Sequence, residues 1–199
     1  DTIFLHEPFS NQLIHTNGDG KVVKKYKLKS GNESAYSNYT DVRTLKPMVY
    51  EKGKIYLTGL KVGIEPIPDH TQLENVYILD LKEARIEASR TIRRPEIYNQ
   101  RQWDALFKYQ LYGCFNPDRR RFIYSFGLEH NLYETDHNNL LKKHYAKSKY
   151  FEEEFKPLTK NKDITPMELP VTKRTEYDFT TPSYYAILYD PFKKCYYRF

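Results

Sequence analysis

Asn75-Val76-Tyr77-Ile78-Leu79-Asp80 is a short apolar run ending on a turn-forming Asp, and the chain repeats it. Asn11-Gln12-Leu13-Ile14-His15-Thr16 lies 64 residues before it, and Asn131-Leu132-Tyr133-Glu134-Thr135-Asp136 lies 56 residues after it. Each copy is followed by a polar turn and a second run: Lys21–Leu28, Arg85–Ile92 and Leu140–Ser148. A different hairpin alternates with these pairs, over Met48–Leu57, Gly113–Phe126 and Ala186–Phe199. Two hairpins per step make about four strands per unit, the content of a propeller blade or a similar all-β repeat.

The composition favours sheet. The 19 Tyr and 11 Phe suit half-buried pleated surfaces. The runs end at turn signals such as Asn17-Gly18-Asp19-Gly20, Glu51-Lys52-Gly53-Lys54, Asn116-Pro117-Asp118 and Asp190-Pro191. Helical spacing competes only over Leu140–Glu154, which is read as a strand followed by a loop. With the strands of a unit lettered a to d, the chain runs c–d, a–b–c–d, a–b–c–d, a–b. The expectation is a single partial β-propeller domain over 1–199: a half blade at 1–28, blades at 48–92 and 109–148, and a half blade at 184–199. Closed propellers have about four to eight blades. The chain is therefore expected to be a piece of a longer propeller, the alternative being half-units completed by other chains. Open sheet edges would also favour self-association.

An apolar content of 39% supports a folded core, and no stretch approaches the roughly 20 apolar residues that span a bilayer. The net charge of +6 is spread over Lys24-Lys25, Arg93-Arg94, Arg119-Arg120-Arg121, Lys142-Lys143 and Lys193-Lys194. This reads as solvated turns and protected edges, with no nucleic-acid partner expected. Cys114 and Cys195 fall on non-equivalent strands, which suggests no disulfide and leaves the compartment open. His130, His137 and His144 share no ligand face, and no HExxH or CxxC motif accompanies them, so no metal is expected. Asp80 and Asp136 recur at one repeat position, where accepting backbone N–H groups in a turn is the simpler role. Gly18-Asp19-Gly20 lacks a phosphate-loop context, GxSxG is absent, and so is the Ser-x-Asp-x-Gly-x-Thr-Trp box of sialidase propellers. Asn32-Glu33-Ser34 and Asn38-Tyr39-Thr40 fit a glycosylation sequon, which matters only in a eukaryotic secreted protein.

Antiparallel topology adds a geometric expectation. The a–b and c–d turns are all short, whereas Lys29–Pro47, Thr58–Glu74, Arg93–Lys108 and Lys149–Pro182 are long b–c or d–a connections. All long connections then lie on one face, the expected working surface. Within them, Tyr98, Arg101 and Trp103 are the candidate ligand-binding residues, since an aromatic beside a planar cation suits a sugar ring or a peptide anchor. Packing between blades is the competing role for Trp103.

Arg94-Pro95-Glu96-Ile97-Tyr98, Phe115-Asn116-Pro117, Arg121-Phe122-Ile123-Tyr124-Ser125-Phe126, His130 through Asp136, and Leu188 through Phe199 resemble a group of uncharacterised proteins. These are the six-bladed, TolB/NHL-like β-propellers that gut bacteria export, often as lipoproteins. The resemblance implies the fold and an exported, periplasmic or cell-surface location, and supplies no catalytic residues or cofactor. The leading reading is a non-catalytic scaffold that binds a glycan or a protein segment on its long-loop face. The alternative is a propeller enzyme, a lactonase-like hydrolase or a lyase, with a central-channel site. Apolar a strands such as Val49-Tyr50, Tyr112-Gly113-Cys114-Phe115 and Ile187-Leu188-Tyr189 count against the enzyme.

Overall fold

A computed structural model describes residues 2–7, 12–28, 36–40, 48–63, 69–89, 91–100, 103, 106–136, 138–161, 163–164 and 166–199. The fold is all-β, with several antiparallel sheets and few helices. The chain divides into two compact units: Asp1–Pro66 with Glu74–Arg90, and Ile67–Leu73 with Thr91–Phe199.

In the first unit, β1 (Thr2–Glu7), β2 (Gln12–Asn17) and β3 (Val22–Lys27) form a sheet in that order. A second sheet holds β5 (Val49–Glu51), β6 (Lys54–Gly63), β7 (Val76–Asp80) and β8 (Arg85–Ser89) as a meander. β4 (Tyr36–Thr40) pairs with the far end of β6, from Tyr36↔Gly63 to Thr40↔Gly59. Two sequence expectations need correction. β1 gives the first sheet a third strand, and parts of the supposed loops 29–47 and 58–74 are paired strand. Gly59 and Gly63 lower strand propensity, so the pattern reads as ending at Leu57, while cross-strand bonding carries β6 onward. Period-2 alternation then builds the core. Leu13, Ile55, Leu57, Tyr77 and Leu79 are buried together, with Phe4, Met48 and Ile86 packed against them.

The second unit begins with a single helical turn, α1 (Ile97–Gln100), followed by β9 (Leu111–Asn116), β10 (Arg121–Phe126), β11 (Asn131–Thr135) and β12 (Leu140–Tyr145) as an antiparallel meander. The hairpin of β13 (Ile187–Asp190) and β14 (Cys195–Arg198) packs on β9 and β10, burying Tyr112, Cys114, Ile123 and Ile187 together. Burial pushes the Cys114 thiol up to about 12. Both cysteines are free. Between β12 and β13 runs α2 (Val171–Thr180), a helix that the sequence reading did not anticipate. Pro170 precedes it, where a fixed φ suits helix entry, but Tyr177 is its only buried residue, so no apolar stripe marks it.

The hairpin turns explain the recurring Asp and Asn. Asp80 accepts the N–H groups of Lys82 and Glu83, both at 3.0 Å, and Asp190 those of Phe192 and Lys193 at 2.9 and 3.0 Å. Asn116 accepts from Arg119 at 3.1 Å, and Asp136 from Asn138 and Asn139 at 2.7 and 2.6 Å. Backbone N–H groups thereby hold the Asp80 and Asp136 carboxyls below their ordinary range. In the turns after Asp80, Asn116 and Asp190, the last residue is left-handed: Ala84, Arg120 and Lys194 each have φ of 53°.

Left-handed backbone costs a residue with a Cβ about 1–2 kcal/mol, partly offset by the greater freedom of glycine in the unfolded chain. Ala84→Gly is therefore expected to raise stability by about 0.5–1 kcal/mol in denaturant unfolding. Gly113→Ala should act oppositely, by about 1–3 kcal/mol, because its Cβ would lie 2.7 Å from a ring carbon of the buried Tyr124.

Candidate functional site

At one end of the β9–β12 sheet, β10 leaves at Phe126, β11 enters at Asn131 and β12 leaves at Tyr145. The long connections preceding β9 and following β12 join the sheet at this same end. Chain segments close over it because the central strand β10 is buried on both faces, from Phe122 through Phe126.

The first cover comes from residues 91–100, 103 and 106–109. Trp103 is 1% exposed and Tyr98 is 2% exposed. The indole N–H of Trp103 donates to the Ile97 carbonyl at 3.2 Å, and its backbone N–H donates to the Tyr109 hydroxyl at 3.3 Å. The Tyr98 hydroxyl donates to the Lys108 carbonyl at 2.8 Å and accepts the Leu128 N–H at 3.3 Å. Burial raises the pKa of that hydroxyl. Large aromatic area drives both side chains inward, and their polar tips find partners there. The fold thus brings two of the candidate binding residues together as packing residues that hold this segment to the sheet. Arg101 lies outside the described residues.

Asp69 secures α1 from beneath. Its Oδ1 accepts the Thr71 hydroxyl at 2.6 Å, the Asn99 amide at 2.8 Å and the Thr71 N–H at 2.9 Å. These bonds, the Thr71 hydroxyl foremost, lower its pKa to about 2. Lys108, fully buried, reaches the end of α2. Its Nζ donates to the Thr181 carbonyl at 3.3 Å, lies 3.8 Å from the Asp178 carboxylate, and sits 4.1 Å over the Tyr177 ring. A cation at a helix C-terminus complements its dipole.

Arg198, from the last strand, enters the same end. It donates Nε–H to Ser125 Oγ at 2.8 Å, Nη1–H to the carbonyls of His130 at 2.9 Å and Ala146 at 3.3 Å, and Nη2–H to the carbonyls of Phe126 at 3.2 Å and Glu129. The Tyr184 ring stacks on the guanidinium at 3.3 Å. Desolvation lowers the Arg198 pKa to about 10.

At this end of the sheet lies an open cavity of about 370 Å³, within the roughly 300–1,000 Å³ of small-ligand sites. Pro95 and Ile97 line it from the first long connection, Leu128, Glu129, His130 and Asn131 from the β10–β11 turn, and Tyr145, Glu153, Glu154 and Phe155 from the end of β12 and the connection beyond it. Nδ1 of His130 meets the Tyr184 hydroxyl at 3.0 Å, and Nε2 faces the carbonyls of Glu152 and Glu153 at 3.1 and 3.2 Å. A proton on Nε2 satisfies those carbonyls and leaves Nδ1 to accept from Tyr184. The Phe155 ring lies 4.8 Å from the imidazole. Glu129 accepts from Asn131 at 2.8 Å and from the Tyr133 hydroxyl, while Glu153 accepts from Lys147 at 2.6 Å and from the Tyr145 hydroxyl. The hydrogen bonds to Glu153, that of Lys147 foremost, lower its pKa. Among the described residues, no group of three His, Cys, Asp or Glu is set to hold a metal ion.

Residues 1–199 match a family model described as a domain of unknown function, DUF4221. The chain belongs to the DUF4221 family. It is similar to a crystal structure of a DUF4221 member from Bacteroides vulgatus ATCC 8482, with a TM-score of 0.75 and 18% identity. The match covers 99% of this chain and 52% of that one, so the chain spans about half the length of this relative. At that identity the likeness concerns the fold alone. No curated protein matches the chain.

The sequence reading of this DUF4221 chain missed the pocket residues on the β10–β11 turn. Gly127-Leu128-Glu129-His130-Asn131 carried a usable signal, a carboxylate and an imidazole on a b–c connection at the long-loop end.

Trp103→Ala is expected to lower stability by about 3–5 kcal/mol in chemical unfolding, the range for truncating a buried large aromatic. Asp69 has a depressed pKa, so its contribution is complete above the unfolded value of 3.8 and is lost as pH falls through about 2. Protection from amide exchange around Thr71 and Asn99, relative to the intrinsic rate at each pH, should fall across that window in the wild type and be low already at neutral pH in Asp69→Ala.

Proposed function

We propose that this chain is a non-catalytic scaffold that binds a glycan or a protein segment in the cavity at the loop end of the β9–β12 sheet. The carrying observation is the composition of its wall. Tyr145, with 63% of its surface exposed, stands beside Phe155, Ile97 and the carboxylates of Glu153 and Glu154. Aromatic faces stack on the apolar side of a sugar ring or receive an anchoring side chain, and the carboxylates accept hydroxyl or N–H donors. Non-catalytic binding follows from how the reactive groups are used. Both nitrogens of His130, the imidazole lining the cavity, already bond within the chain. A general base needs a lone pair aimed at the substrate.

The same proposal takes the four-stranded meanders as blades of a six-bladed propeller. The meander order and the doubled length of the DUF4221 relative support this. Export to the periplasm or cell surface belongs to it through the resemblance. Among the described residues, no helix is long and apolar enough to cross a membrane. Self-association through the open edge of β14 is a further part, read by light scattering.

Binding to arrays of oligosaccharides and of peptides tests the reading. Wild type should retain a restricted set, and Tyr145→Ala should weaken it by about 30-fold, as for loss of an aromatic hot spot of ~2 kcal/mol, with the unfolding midpoint unchanged. Retention of nothing, or equal binding by Tyr145→Ala, would overturn it.

A further inference from the structure

We propose that the opposite, short-turn end of the second unit docks on an anionic lipid surface. The meander places the β9–β10 and β11–β12 turns at one end of the sheet. Two bonds bring the β13–β14 turn beside them: the Tyr189 hydroxyl donates to Asp118 at 2.8 Å, and the Asn116 amide donates to the Tyr196 hydroxyl at 2.6 Å. The two basic clusters that look scattered in sequence, Arg119-Arg120-Arg121 and Lys193-Lys194, thereby become one patch, with Lys142 on the adjoining edge strand.

The patch has an apolar tip. Phe192 is 95% exposed, on a turn pinned by the two N–H bonds to Asp190. Leu140 and Leu141, at the start of β12, are also exposed. Of the carboxylates at this end, Asp136 and Asp190 accept N–H groups within their own turns, Asp118 accepts the Tyr189 hydroxyl, and Glu134, opposite Lys142, meets Nε2 of His144 at 2.8 Å. Cations occupy the left-handed positions Arg120 and Lys194, where glycine would relieve the backbone.

An aromatic tip flanked by cations matches a bilayer interface, where the ring enters the acyl boundary and the charges meet headgroups. A nucleic-acid duplex would attract the cations but keeps its bases stacked away from Phe192, which favours the lipid surface. The site lies at the far end of the sheet from the cavity, so it stands or falls independently of the ligand reading.

The test is co-sedimentation of the chain with vesicles of phosphatidylcholine alone or mixed with phosphatidylglycerol, across a salt series. Binding is expected to the mixed vesicles only and to weaken with salt. Arg119→Glu with Lys193→Glu should lower it by upward of about 25-fold, near fivefold per cation removed. Phe192→Ala should lower it about tenfold. All these positions are turn surface, and circular dichroism with thermal unfolding confirms that each variant folds. Equal binding to both vesicles, no binding at low salt, wild-type binding by either variant, or binding to a DNA duplex but not to vesicles would each overturn the proposal.

Discussion

The Arg198 guanidinium is the contact through which the second unit is tied together. Arginine has five N–H donors in a rigid fork, and here the fork meets Ser125 Oγ and the carbonyls of Phe126, Glu129, His130 and Ala146. Those carbonyls belong to Phe126 at the end of β10, to the β10–β11 turn and to the exit of β12, and that of His130 also accepts the Ala146 N–H at 3.0 Å. A carbonyl left without any donor in a buried setting costs about 1–3 kcal/mol. A side chain from the last strand therefore completes the hydrogen bonding of a turn almost seventy residues earlier. Desolvation lowers its pKa to about 10, still above neutrality, so it acts as a charged donor.

Order passes from there to the cavity wall. The Tyr184 ring covers the guanidinium, and its hydroxyl accepts the Ser148 N–H at 3.1 Å while facing His130. His130 in turn holds the 152–153 backbone. Burial and aromatic packing thus use the imidazole as a strut. Tyr145, Glu153 and Glu154 stand on the outside of that frame and face solvent, which gives the wall fixed backbone positions and accessible side chains. Such a division suits recognition, because little ordering remains to be done when a ligand arrives.

The sheets were legible where local chemistry and pattern agree. Asp80, Asn116, Asp136 and Asp190 close their turns through their own side chains, so the residues that mark hairpins in sequence also make them. β4 and the far half of β6 depend on pairing across distant sequence, and glycines at 59 and 63 hide them. α2 is hidden for another reason: its single buried residue, Tyr177, and the buried Lys108 hold it, with no apolar stripe to read. Trp103 and Tyr98 were legible as important, with a packing role weighed for Trp103 alone, because an aromatic beside polar residues reads alike whether its tip bonds a ligand or the Ile97 and Lys108 carbonyls. Nothing in Tyr196-Tyr197-Arg198-Phe199 distinguishes Arg198 from a strand-edge cation.

The direct measurement is the unfolding free energy of Arg198→Lys together with amide exchange over residues 126–131. Lysine keeps the charge and loses the planar fork. A stability loss of about 1–3 kcal/mol, as for a buried acceptor left without its donor, with accelerated exchange confined first to that turn, is the predicted result. A change within about 0.5 kcal/mol, with protection of the turn retained, would contradict the account.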